Sequence, residues 1–305
     1  MKFSCRLCAH FPRLKAQISP ILPLLVVGVL MFGPTLAWAE NLVPSGDFED
    51  YALAGQWAPA NVAGPTEEEH VTGASSLRLK QRGWITAPER VLIDPKQSYV
   101  LRAFIKEPSV KLNEKYCALG VQIGLRIYDE NQEQIGPFAV APIVGTDATL
   151  AQEASKGDNI LHLKGPQWEK MSKRTVTAVA FDAKDDLTDL PNAHTAAIEE
   201  VTAGTDGSFE VHLHQPLEED HPAGTRVRQH SYTDLPLITV EPGPEWAEHD
   251  LEIGGPSDPG VIEKGRFWYG ARYVSPTIIG SPASSNGPQD EIELLLDDVS
   301  FTRAN

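Results

Sequence analysis

The chain has 305 residues, 41% hydrophobic and 22% charged, with 24 Gly, 24 Pro and a formal net charge of −16. This composition excludes a collagen-like repeat, a disordered acidic tail and a polytopic membrane protein. It leaves a globular chain of one or two domains, rich in turns.

Residues 1–39 read as a secretory signal. Lys2, Arg6, Arg13 and Lys15 form a basic stretch without an acid, and the apolar run Ile21 to Phe32 follows. Ala37-Trp38-Ala39 then places small residues at the −3 and −1 positions of a cleavage site. The apolar run is short for a bilayer span, which needs roughly 20 residues, and Pro20, Pro23 and Pro34 punctuate it. Cleavage after Ala39 removes 39 of the 305 residues and leaves 266. It takes away four of the 26 basic residues and none of the 42 acids, for a formal charge of −20. The expected location is outside the cell or in the periplasm and cell envelope, with no stable membrane insertion after cleavage.

So acidic a chain repels nucleic acid phosphates and anionic lipid surfaces. It also disfavours acidic polysaccharides unless a local basic cluster overrides the mean field. Neutral glycans and divalent cations remain compatible. Cys5 and Cys8 leave with the signal, so Cys117 is left without an internal disulfide partner and reads as a buried, inert thiol in a strand.

Strand signals dominate the rest. Ser98 to Lys106 is β-branched and aromatic. Ala118 to Tyr128 alternates, with Val121, Ile123, Leu125 and Ile127 on one face and Gln122, Gly124, Arg126 and Tyr128 on the other. Asp129-Glu130-Asn131 supplies a turn. The best candidate for a short helix is Ala148 to Lys156. Between about 146 and 230 a separate succession appears: Asn159 to Lys164, Thr175 to Asp182, Ala197 to Val201, Phe209 to His214 and Thr225 to Gln229. Asp206-Gly207 marks a hairpin between the third and fourth of these, and Asp185 to Asn192 reads as an irregular loop. Glu291 to Phe301 is the last strand, after a loop over Gly280 to Gln289. The expected fold is all-β. A β-sandwich over 40–145 and 231–305 is interrupted by a small β domain over 146–230.

The two ends carry a resemblance. Asn41-Leu42-Val43-Pro44-Ser45-Gly46-Asp47-Phe48-Glu49, followed by Trp57, resembles the opening of the galactose-binding-like jelly rolls, especially the family 4/9-type (CenC-type) carbohydrate-binding modules. Gly73 to Leu79 is similar to their next strand, and Leu295 to Phe301 to their closing strand, which returns beside the first. Ser45 departs from the usual Asn, and the inserted block is the larger departure. That block, with its ending Pro216-Leu217 and His221-Pro222-Ala223-Gly224-Thr225, resembles a small β-module of secreted bacterial proteins.

The resemblance implies a jelly roll and a structural Ca²⁺ where the opening segment meets the closing strand. Glu49 and Asp297 would be its side-chain ligands, with carbonyls near Gly73 to Ser76 completing the shell. Alternation puts Asp297 on the face of Leu295, Val299 and Phe301. A carboxylate there needs a cation, a basic partner or backbone amides.

For a glycan, the candidate platforms are Trp84, Trp246 and the Phe267-Trp268-Tyr269 run, in which alternation would turn Trp268 away from its neighbours. Arg126 and Tyr128 would line the same sheet. A core role for each Trp is the competing reading. His212 and His214 share a strand face, a spacing that can chelate Zn²⁺ but lacks a third ligand at a specific distance. No Gly-x-Ser-x-Gly elbow, P-loop or dinucleotide fingerprint occurs. His249, Arg272 and Tyr273 are the residues a jelly-roll lyase could use. The expected function is therefore an exported, non-catalytic, carbohydrate-binding protein. The alternatives are an envelope protein holding a protein partner, or a polysaccharide-degrading enzyme.

Overall fold

A computed structural model describes residues 40–79, 83–110, 119–165, 168, 176–204, 206–282 and 292–304. The signal-like segment, Cys117 and most of the 280–289 loop lie outside them. Among the described residues no helix is long and apolar enough to cross a membrane.

The strands, in chain order, are β1 (Ala63–Thr66), β2 (Ser76–Leu79), β3 (Gly83–Thr86), β4 (Val91–Leu92), β5 (Ser98–Val110) and β6 (Leu119–Tyr128). Six further strands follow: β7 (Ala148–Leu150), β8 (Ile160–Lys164), β9 (Thr177–Phe181), β10 (Thr195–Ala203), β11 (Ser208–Leu213) and β12 (Arg226–Ser231). The chain ends with β13 (Leu237–Val240), β14 (Ala247–Gly254), β15 (Tyr273–Pro282) and β16 (Ile292–Arg303).

The outer set forms an all-β sandwich. One sheet runs β1-β2-β16-β5-β14 and the other β13-β6-β15-β3, with β4 also on β15. Both are antiparallel throughout. The two orders are those of a jelly roll, in which the chain passes back and forth between the sheets and the last strand, β16, lies between β2 and β5. Alternation explains the core. Tyr99, Leu101, Ala103 and Ile105 of β5 are fully buried, and Ile123, Leu125 and Ile127 of β6 meet them from the other sheet.

The head of the chain closes on its tail. Leu42 N donates to Phe301 O at 2.9 Å, and Asn41 Oδ1 accepts from both Val43 N and Phe301 N at 3.0 Å. Phe48 is buried and meets Trp57 edge-on, with ring centroids 5.1 Å apart. Ser45, where the resembling modules have Asn, accepts from Trp57 Nε1 and donates to Glu89, each at 2.9 Å.

The six strands β7 to β12 close into a barrel in the order β10-β11-β8-β7-β12-β9. It occupies the connection between β6 and β13. Leu161, Leu163, Val179, Val211 and Val227 fill its interior with no exposed surface. Asp206-Gly207 forms the β10–β11 hairpin; Gly207 has φ 79°, and Asp206 Oδ1 accepts from Ser208 N at 3.2 Å. The expected helix at 148–156 is instead β7 and a turn-rich segment. Pairing with β8 and β12 buries Ala148 and Leu150 in the barrel, which outweighs a weak helical preference.

On the outer wall of β9 and β12, Ala178, Ala180, Arg228 and His230 are all buried. His230 Nδ1 lies 2.7 Å from Phe138 O, Arg228 Nε donates to Asp147, and Ile143 N donates to Gln229 O. The barrel is thus docked onto the segment that leads into it from β6.

Gly46 tests the closure. A Cβ at this position would lie 1.9 Å from Val299 O, a backbone atom that cannot swing aside. Gly46→Ala is expected to lower stability by about 2 kcal/mol or more. A thermal melt checks this, with Gly64→Ala, where a Cβ meets nothing within 4 Å, as the near-neutral control.

Candidate functional site

The face of the second sheet that points away from the core is built by register. Across β6, β15 and β3, Tyr128 stands opposite Tyr273, Arg126 opposite Ser275, and Ile279 opposite Trp84. These residues alternate with the core positions and so lie on the side away from the core, where Trp84 is exposed while Tyr128, Ser275 and Ile279 are buried. Trp84 is 47% exposed, which marks it off from the buried Trp57 and Trp268. The Arg126 guanidinium sits 4.9 Å from the Trp84 ring centroid, and that of Arg90 sits 4.5 Å from the Tyr128 ring. Such cation–π contacts contribute about 0.5–1 kcal/mol at exposed sites. Thr86 and Thr277 approach within 3.2 Å through their hydroxyls on the same face.

Three of the six sequence candidates for a glycan surface therefore come together: Trp84, Arg126 and Tyr128. The other three do not join them. Trp246 is half-buried just before β14, in the other sheet. Trp268 is 2% exposed, and Phe267 beside it is fully buried. The 267–269 run is a bridge and turn rather than a strand, so the alternation that would have turned Trp268 outward does not apply. Tyr269 is half-buried in that turn. Arg90 had no sequence signal, because its partner Tyr128 lies 38 residues further along the chain.

Trp268 instead lines a groove of about 340 Å³ along β13 and β14, together with Leu235, Leu237, Leu251, Ile262 and Arg266. These two strands end the two sheets, and among the described residues no strand lies beyond either.

The presumed cation ligands take a different form from the one implied. β16 carries a bulge: Asp297 faces Phe104 of β5, yet Ser300 faces Arg102, and Asp298 has φ 45°. The extra residue inverts the alternation. Leu294 and Leu296 enter the core before it, Val299 and Phe301 after it, and Asp297 points to the opposite side. The expected sharing of one face by Asp297, Val299 and Phe301 is thereby corrected.

Asp297 is nonetheless fully buried, because residues 71–72 cover it. Its Oδ2 accepts from Val71 N at 2.6 Å and Thr72 N at 3.3 Å, and Oδ1 accepts from Asp298 N at 2.8 Å. Glu49 Oε1 accepts from Ala74 N at 2.9 Å and Ser75 N at 3.0 Å. Amide hydrogens aimed at both carboxylates are the arrangement of an anion held by donors. The amides engage both oxygens of Asp297 and Oε1 of Glu49. No group of three or more His, Cys, Asp or Glu positioned for a metal occurs among the described residues.

Burial pushes the Asp297 carboxyl above its ordinary value, against the pull of the Val71 and Asp298 amides. The Ala74 and Ser75 amides hold Glu49 below its own. The linkage signs are opposite. The Asp297 contribution is full at low pH and fades as pH rises through its folded pKa. The Glu49 contribution is present at neutral pH and fades as pH falls through its folded pKa.

The histidines also have partners. His212 pairs with Glu210 at 2.8 Å, whereas His214 lies beyond the end of β11. His221 stacks on Phe181 with centroids 3.8 Å apart, beside a cleft that also holds the His194–Glu219 pair at 2.7 Å. The lyase candidates are divided: His249 lies on β14 of the first sheet, whereas Arg272 and Tyr273 lie at the start of β15 in the second.

Comparison with known proteins finds no matching family model and no curated protein that matches.

Asp297 yields a sharp expectation. Both of its oxygens accept, so Asp297→Asn must set an NH₂ against an amide hydrogen. It should cost nearly as much as Asp297→Ala, about 1–3 kcal/mol in chemical denaturation. The donor-filled geometry further predicts that EDTA leaves the melting temperature unchanged and added Ca²⁺ does not raise it. A clear Ca²⁺-dependent shift would show that the 71–75 segment rearranges around an ion.

Proposed function

We propose that this protein is an exported, non-catalytic jelly-roll module that binds glycan chains on the outward face of its second sheet. The observation that carries this reading is Trp84, a large aromatic 47% exposed on a regular strand with the Arg126 guanidinium over its ring. Sugars stack their C–H faces on such rings and take hydrogen bonds from surrounding side chains. Export rests on the basic, apolar and small-residue succession of residues 1–39. The likeness of Asn41 to Glu49 and of Leu295 to Phe301 to carbohydrate-binding jelly rolls agrees with this function.

A second reading, an envelope protein that holds a protein partner, is favoured by a separate observation. The groove beside β13 and β14 joins apolar side chains to the terminal strands of both sheets, a setting suited to strand addition.

Affinity-gel retardation on a panel of polysaccharides separates the two. Trp84→Ala should abolish retardation while changing stability by less than about 0.5 kcal/mol, since the ring is exposed. Trp57→Ala should cost about 3–5 kcal/mol, since its ring is buried. Absence of retardation on every gel, for a folded wild-type protein, overturns the glycan reading.

A further inference from the structure

Among the described residues some arginines of this acidic chain pair with acids, and others, Arg272 and Arg303 included, do not. Arg78, Arg102, Arg226, Arg228 and Arg266 each pair with a carboxylate. Arg126 and Arg90 do not: each lies over an aromatic ring on the outward face of the second sheet. Arg126 Nε is buried and has no hydrogen-bond partner, and Nη1 reaches only Gln134 Oε1, at 3.5 Å. Arg90 donates only to a backbone carbonyl, Gln132 O, at 2.7 Å.

Among the described residues neither Glu130 nor Glu133 pairs with these arginines, and two further acids near them in sequence are committed elsewhere. Glu89 accepts from Ser45 at 2.9 Å, and Asp129 Oδ1 accepts the Asn131 and Glu133 amides of its own turn. In a chain with 42 acids and 26 basic residues, two adjacent guanidiniums without a carboxylate form a local positive strip. A guanidinium held over a ring still has Nη groups to offer, and these can match a planar carboxylate or a sulfate in paired hydrogen bonds.

We propose that the glycan held on this face is anionic, with Arg126 and Arg90 binding the carboxylates or sulfates of its acidic sugars while Trp84 stacks on a ring beside Arg126. This rests on the glycan reading above and replaces the neutral ligand that the net charge suggests, because a short-range pairing outweighs a screened mean field at an ionic strength where the Debye length is about 8 Å.

The test is gel retardation of the full chain on three sets of gels. One set contains uronate polymers (alginate and polygalacturonate), one a sulfated polymer (carrageenan), and one neutral glucans and xylan. The proposal expects retardation on a uronate or sulfated gel that weakens from about 50 to about 500 mM NaCl. Which gel retards the chain identifies carboxylate or sulfate as the group bound. Arg126→Gln and Arg90→Gln should each weaken binding about tenfold or more, with melting temperatures within a few degrees of wild type. Arg90 is exposed, so its variant remains informative if Arg126→Gln fails to fold. Salt-insensitive retardation on neutral gels alone overturns the anionic ligand and leaves the glycan reading standing. Retardation on none overturns both. Retardation on an anionic gel that both arginine variants retain at full strength overturns the assignment of these residues.

Discussion

The closure of the head of the chain on its last strand is the constraint on which the remaining architecture depends. Asn41 does it with one side chain, whose Oδ1 takes the amides of Val43 and Phe301. Its Nδ2 donates to Val43 O at 3.0 Å. Gly46 lets the backbone approach Val299 so closely that no side chain fits between. These contacts fix β16 in the middle of its sheet, between β2 and β5. A strand in that place reads its hydrogen bonds from both sides, so its register sets that of the sheet.

Once β16 is fixed, the bulge at Asp297 to Ser300 becomes a structural necessity. The extra residue lets Leu294, Leu296, Val299 and Phe301 all reach the core from a strand whose parity changes halfway. Asp297 is the residue displaced by that change, and the amides of Val71, Thr72 and Asp298 satisfy it. Glu49 takes the next two amides of the same segment, Ala74 and Ser75. Two carboxylates thus tie down one loop by accepting from its amides.

The barrel sits within one connection of the jelly roll and leaves its strand order intact. Docking goes through buried polar groups as well as small residues. Arg228 and His230 lie beside Ala178 and Ala180 on the wall that meets the segment after β6. Arg228 Nη1 and His230 Nε2 have no hydrogen-bond partner there. Arg228 Nη1 lies 3.9 Å from Asp189 Oδ2, so the junction holds its buried guanidinium between two carboxylates, Asp147 and Asp189.

The strands themselves were legible in the amino-acid sequence, because a half-buried strand must alternate, and Val121 to Ile127 and Tyr99 to Ile105 do so. The Asp206-Gly207 turn was legible because only residues tolerant of positive φ make it. The all-β class follows from those local rules alone. Three features belonged to the tertiary structure. The bulge in β16 reversed the side of Asp297, since one inserted residue flips a period of two. Ala148 became a strand residue because neighbours distant in sequence offered it a pairing. And the outward face acquired its character from β3, β6, β15 and Arg90 together. Which aromatic stays exposed, and which arginine goes without an acid, depends on contacts between residues far apart in the chain. Local pattern cannot encode those contacts, and packing alone decides them.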